Sequence, residues 1–131
     1  MSNEPAADGP DPELEEAIRI GHEMLDMARA GRPELLAYVD AGAPVNLTGP
    51  TGDTLVMLAS YHGHADLVRG LVARGADVNR LNDRGQSPLA GAVFKGADEV
   101  VAVLLAGGAD PDAGTPSARE AAVMFGRALP E

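Results

Sequence analysis

Gly-His-Ala-Asp-Leu-Val-Arg-Gly-Leu-Val-Ala-Arg-Gly-Ala-Asp-Val-Asn, residues 63–79, returns 33 residues later as Gly-Ala-Asp-Glu-Val-Val-Ala-Val-Leu-Leu-Ala-Gly-Gly-Ala-Asp-Pro-Asp, residues 96–112. The register extends outward from this pair. Gly42, Gly75 and Gly108 stand 33 apart, each followed by an alanine (Ala43, Ala76, Ala109), and Asn46, Asn79 and Asp112 keep the same step. Gly52 and Gly85, Thr54 and Ser87, and Ala59 and Ala92 agree as well. A fixed period of roughly 20 to 50 residues turns a chain from one folded core into an array of stacked units.

Each part of the repeat has a local physical reading. Thr54 and Ser87 are hydroxyl residues placed to cap a first short helix, and Pro88 follows at the first helical position, where a missing N–H costs nothing. Ala59 and Ala92 allow tight contact between helices, and Gly63 and Gly96 end the first helix. The second helix carries Leu67, Val68, Leu71 and Val72 in one copy and Val100, Val101, Leu104 and Leu105 in the next, an i, i+1, i+4, i+5 stripe. Gly75 and Gly108 close it as left-handed caps. Polar segments after residues 76–79 and 109–112 then form the hairpins between units. No Val, Ile or Thr run alternates cleanly enough for a strand, so the class is all-α. A single helix pair cannot hide its stripe, and neighbouring copies must stack.

These residues resemble the ankyrin repeat family. The resemblance is carried by Asp-Arg-Gly-Gln-Ser-Pro-Leu at 83–89, Tyr-His-Gly-His-Ala-Asp-Leu-Val at 61–68 and Arg-Gly-Ala-Asp-Val-Asn at 74–79. It covers residues 13–129 and implies a solenoid of helix-turn-helix units joined by hairpin loops, with full repeats at 47–79 and 80–112. The flanking units depart from the pattern. Gly31 lies eleven residues before Gly42 where Gly63 lies twelve before Gly75, and Ser117 follows Ser87 by only 30 residues. Units 13–46 and 113–131 are therefore expected to be caps, with Glu13, Glu15, Glu16, Glu23 and Asp26 at one end and Arg119, Glu120, Arg127 and Glu131 at the other. In the first unit Leu14, Ala17, Ile18, Gly21, Met24, Leu25 and Ala28 fall at helical spacing, which predicts one or two helices ending at Gly31. The resemblance also makes His64 a structural histidine that bonds near the next turn.

Composition fits such a stack. Of 131 residues 45% are hydrophobic but only 3% aromatic, so the core is built from aliphatic and small side chains. Residues 1–12, with three prolines and only acidic charge, read as a flexible acidic tail. Twenty acidic against ten basic residues give a net charge of −10, which opposes phosphate backbones and anionic membranes. The N-terminus carries neither a basic stretch nor an apolar one, no apolar run approaches 18 residues, and cysteine is absent. A monomer in the cytoplasm, without nucleic acid or membrane as partner, is the expectation.

Catalytic patterns are weak. His22-Glu23-Met24-Leu25-Asp26 approaches the helical zinc-hydrolase pattern His-Glu-x-x-His, but Asp26 replaces the second histidine. His62 and His64 flank Gly63, and on a helix end two such side chains diverge by about 200°. Residues 48–54 are glycine-rich but lack the lysine of a phosphate loop, and read as a hairpin turn. Asp98 and Glu99 suit the positive end of a helix. With one lysine, three histidines and no cysteine, the expectation is a non-enzyme without cofactor or metal.

Surface recognition remains. In proteins of the resembled family partners meet the hairpin tips and the solvent side of each first helix. Carried to this chain, the tips are Thr48, Pro50, Thr51 and Asp53, then Leu81, Asp83, Arg84 and Gln86, and the helix positions are Arg29, Tyr61 and His62, Phe94 and Lys95. Aromatic side chains beside cations make an interface hot spot; the plainer alternative has Tyr61 and Phe94 packed on each other between repeats. A protein-binding adaptor is the leading expectation. An acidic regulator or assembly factor for a basic enzyme comes second, and a zinc hydrolase using His22 and Glu23 is the remote third.

Overall fold

In a computed structural model, which describes residue 9 and residues 11–130, the chain forms seven helices and, among those residues, no strand. They are α1 (Pro12–Ala30), α2 (Glu34–Asp40), α3 (Leu55–Tyr61), α4 (Ala65–Ala73), α5 (Pro88–Lys95), α6 (Asp98–Ala106) and α7 (Ala118–Met124). Helices α1, α3, α5 and α7 pack in sequence as one row, and α2, α4 and α6 form a second row behind them. The all-α stack follows the 33-residue period. Residues 1–8 and 10 of the acidic tail, and Glu131, lie outside the described residues.

The predicted caps form. The Thr54 hydroxyl accepts from the Met57 N–H and the Ser87 hydroxyl from the Ala90 N–H. In the shortened last unit Ser117 accepts from the Glu120 N–H while Glu120 accepts from the Ser117 N–H, a full capping box. All three hydroxyl residues are buried, so each bond satisfies a helix N–H that water does not reach.

Burial follows the repeat. Leu67, Val68 and Leu71 on α4 and Val100, Val101 and Leu104 on α6 are buried, with Val72 and Leu105 on the margin. Each such aliphatic side chain contributes about 1.5–3 kcal/mol by leaving water. Ala59 and Ala92 are fully buried where α3 and α5 meet their neighbours. Gly70 on α4 faces α2: a Cβ there would lie 2.5 Å from Leu36 Cδ1, so a side chain at that position would require Leu36 to shift.

Register between hairpins is held by asparagines. Asn46 Oδ1 accepts from the Asp77 N–H at 2.8 Å, and Asn79 Oδ1 accepts from the Asp110 N–H at 2.7 Å. Asn79 Nδ2 also donates to the Gly108 carbonyl. At the third step Asp112 stands where Asn46 and Asn79 stood, and it pairs with Arg119 of the shortened unit at 2.8 Å.

A single helix, α1, covers the stretch that ends at Gly31, and α2 completes the first unit. Asp11 caps α1 through the Glu13 N–H, and Gly31 ends it at φ 74. Its 19 residues exceed the seven of α3, so only its later turns are covered. Met24, Leu25 and Ala28 are buried, whereas Leu14 and Ile18 at the start of the same stripe are 57% and 50% exposed.

Candidate functional site

A 33-residue period places side chains one above another. Arg29, His62 and Lys95 share one register at the C-terminal ends of α1, α3 and α5, and Tyr61 and Phe94 stand one position earlier on α3 and α5. The hairpin tips lie at the opposite ends of these short helices, about 10 Å away at 1.5 Å per residue. The stack therefore brings the predicted helix positions into one row and sets the tips beside it.

Within that row Tyr61 and Phe94 remain exposed, at 41% and 58%. They do not pair with each other. Tyr61 meets His62 edge to face, centroids 5.3 Å apart, and Lys95 Nζ stands 4.8 Å from the Tyr61 ring centre. Phe94 instead meets Phe125, which follows α7, at 5.3 Å and nearly perpendicular. Phe125 is itself 45% exposed. The reading in which Tyr61 and Phe94 cover one another is thus replaced by a line of separate ring contacts running from α3 to the end of α7.

His62 and His64 do not diverge. Helix α3 stops at Tyr61 and Gly63 turns the chain at φ 79, so the two rings lie near-parallel with centroids 6.3 Å apart. His64 also reaches backward rather than toward the next turn: its Nε2 lies 2.8 Å from the Arg29 carbonyl oxygen in the preceding unit. A carbonyl only accepts, so Nε2 carries the proton. The imidazole rests against Gly31, where any side chain would collide with it.

Charges along the row are not equivalent. Arg29 pairs with Asp26 at 2.8 Å. Lys95 and Arg84 have no carboxylate within ion-pair distance among the described residues. Elsewhere several exposed charges are tied down: Arg74 holds Asp40, Arg69 holds Asp66 and Glu99, and Arg127 holds Asp98. The Arg74 hydrogen bond, reinforced by its charge, holds the Asp40 carboxyl below the usual carboxylate range, and Arg119 does the same to Asp112.

The tips divide into internal and outward groups. Asn82 Nδ2 donates to Asp53 Oδ1 and to Gln86 Oε1, both at 2.8 Å, while its Oδ1 accepts from the Arg84 and Gln86 N–H groups. Thr51 donates to the other Asp53 oxygen, and the Asp83 N–H bonds the Thr51 carbonyl across the two hairpins. Thr48 forms a β-bridge with Thr54. Asp53 and Thr51 thus join one unit to the next, through Asn82 and the Asp83 N–H, whereas Gln86 stays within its own hairpin and Pro50, Leu81 and Arg84 are exposed. Sequence reasoning missed Asn82 and Phe125. Asn82 carried one usable signal, its place at the head of the Asn-Asp-Arg-Gly turn, where asparagine bonds the backbone ahead of it.

The zinc-like motif is divided among other contacts. Glu23 pairs with Arg19, which also binds Glu16, and Asp26 pairs with Arg29. Among the described residues no three His, Cys, Asp or Glu side chains converge to hold a metal ion. No helix among them is long and apolar enough to cross a membrane.

Comparison with known proteins agrees with the geometry. The family model described as ankyrin repeats (3 copies) matches residues 24–115. A Pseudomonas aeruginosa protein named as an ankyrin repeat protein is 48% identical over 64 residues, 47% of this chain and 37% of that protein. An ankyrin repeat-containing protein of Schizosaccharomyces pombe is 36% identical over 54 residues, 41% of this chain and 26% of its own. The mouse ankyrin repeat and SAM domain-containing protein 6 is 40% identical over 60 residues, 44% of this chain and 7% of its own. In each case the match spans well under half of the relative's length.

Proposed function

The chain belongs to the ankyrin repeat family, and from that premise we propose that it is a non-catalytic module that binds a protein partner across the concave face of its stack. Tyr61, His62, Phe94 and Lys95 form the centre of this face, with Arg29 and the outward tip residues Pro50, Leu81 and Arg84 around it. The units at 13–46 and 113–131 close the array at its ends. Ankyrin repeats are in general protein interaction modules, and the observation that carries the present reading is the exposure of Tyr61 and Phe94 in one register beside Lys95. Stacking alone does not require large rings there, since the equivalent position in the first unit is the small, buried Ala28.

The test is a double substitution, Tyr61→Ala with Phe94→Ala, in affinity capture from the native host. Paired aromatic truncations at an interface centre cost roughly 2 kcal/mol or more each, so capture of the partner falls at least tenfold. Helical circular dichroism stays unchanged because both rings are already exposed. Undiminished capture by the double variant moves the partner site off this face.

A further inference from the structure

We infer that the row of Tyr61, His62, Phe94 and Lys95 receives an acidic segment of its partner, with a carboxylate seated at Lys95 and an apolar side chain laid against Phe94 and Phe125. The inference rests on the reading of this row as the partner face and adds the chemistry of what it takes.

The argument is one of local charge in a chain that is otherwise acidic. The net charge is −10, yet the carboxylates that flank the row in sequence are each held by an arginine: Asp26 by Arg29, Asp66 by Arg69 and Asp98 by Arg127. Lys95, the chain's only lysine, is not neutralised in this way. Its ammonium is kept instead over the Tyr61 ring of the preceding unit, 4.8 Å from the centroid, which fixes its position and leaves its charge available. A basic segment would meet this cation at a place where the carboxylates flanking the row in sequence are already paired with arginines.

The apolar half extends the other way: Phe94, next to Lys95 on α5, meets Phe125 after α7, while the Lys95 ammonium reaches back to Tyr61 on α3. Phe94 and Phe125 form an exposed edge-to-face pair, and Met124 beside them is 68% exposed. Neighbouring helices stand about 10 Å apart, the span of about three residues of extended chain. The fitting segment therefore carries Asp or Glu about three residues from Leu, Ile, Phe or Tyr.

The experiment selects a displayed library of random dodecapeptides on the full chain and measures synthetic versions of the enriched peptides by fluorescence anisotropy. The expected result is enrichment of Asp or Glu at that spacing from an apolar residue. Lys95→Glu then weakens binding about five- to tenfold, as reversal of an exposed interface charge does, and its circular dichroism matches the parent. Enrichment of Lys and Arg, or no enrichment above the starting library, overturns the inference. Binding unaffected by Lys95→Glu but lost in Tyr61→Ala with Phe94→Ala overturns the acidic chemistry and leaves the face standing; binding that survives both sets of substitutions removes the face as well. Dimers of the chain alone that Phe94→Ala disperses would give the row to a second copy and likewise overturn it.

Discussion

Ser60 sits fully buried on α3 with a hydroxyl that has no hydrogen-bond partner among the described residues. One period later the same place on α5 is held by Val93, also buried, so the site itself is apolar. A buried hydroxyl without a partner costs about 1–3 kcal/mol of desolvation with nothing returned. Ser60→Ala is therefore expected to raise stability by about 1 kcal/mol in urea unfolding, with the slope of the transition unchanged; a loss of stability would mean the hydroxyl is bonded after all. At this scale the capping residues were legible, because Thr54 and Ser87 bond N–H groups three positions away in their own helices. Asn82 was not, because its partner Asp53 lies 29 residues off in another unit. The direction of His64 was hidden for the same reason: its acceptor, the Arg29 carbonyl, is 35 residues distant.

At the scale of the elements, stability of a stacked array is a sum of unit terms and nearest-neighbour contacts, so a side chain that spans two units acts on the coupling between them. Asn79 is such a side chain, accepting from the Asp110 N–H and donating to the Gly108 carbonyl. Asn79→Ala removes both bonds and is expected to cost about 1–2 kcal/mol, with a shallower denaturant transition as the last units loosen from the rest. Asn79→Asp keeps the acceptor and loses the donor, so its cost falls between the two. Equal losses in both variants would assign the whole effect to the Gly108 bond. The 33-residue step of Asn46, Asn79 and Asp112 was plain in the sequence, and what it accomplishes was not, since spacing reveals register before it reveals partners. The same limit applies to α1. Leu14 and Ile18 fall on its apolar stripe by local periodicity, but their exposure follows from the shortness of α3, which belongs to another unit. The face bearing Tyr61, His62, Phe94 and Lys95 could be placed from register alone, while the pairing of Phe94 with Phe125 depended on the 30-residue step of the shortened last unit.

Over the whole molecule, acid acts on two opposing quantities. Protonating carboxylates relieves the self-repulsion of a chain with 20 acidic residues and ten basic ones, and it also breaks the ion pairs that join the units. Arg74, the cap after α4, holds Asp40 at the end of α2, with Nε to Oδ1 at 2.8 Å, and the hydrogen bond followed by the charge lowers the Asp40 carboxyl from its ordinary 3.8. A carboxyl lowered in the folded state contributes stability that is present above the unfolded value and lost as pH falls through the folded one. The contribution of this pair is therefore complete at pH 7 and withdrawn from about pH 4 downward. Both side chains are partly solvated, so the effect is small and screened by salt. Asp40→Asn isolates it from the general relief of repulsion, because the variant keeps the shape and loses only the titrating charge. Thermal unfolding of the two proteins in low salt is expected to place the Asp40→Asn midpoint below the parent at pH 7 and to narrow the gap as pH falls below about 4. A gap that does not narrow at all between pH 7 and the lowest pH at which both proteins stay folded would mean that the charge of Asp40 is not what holds α2 against Arg74.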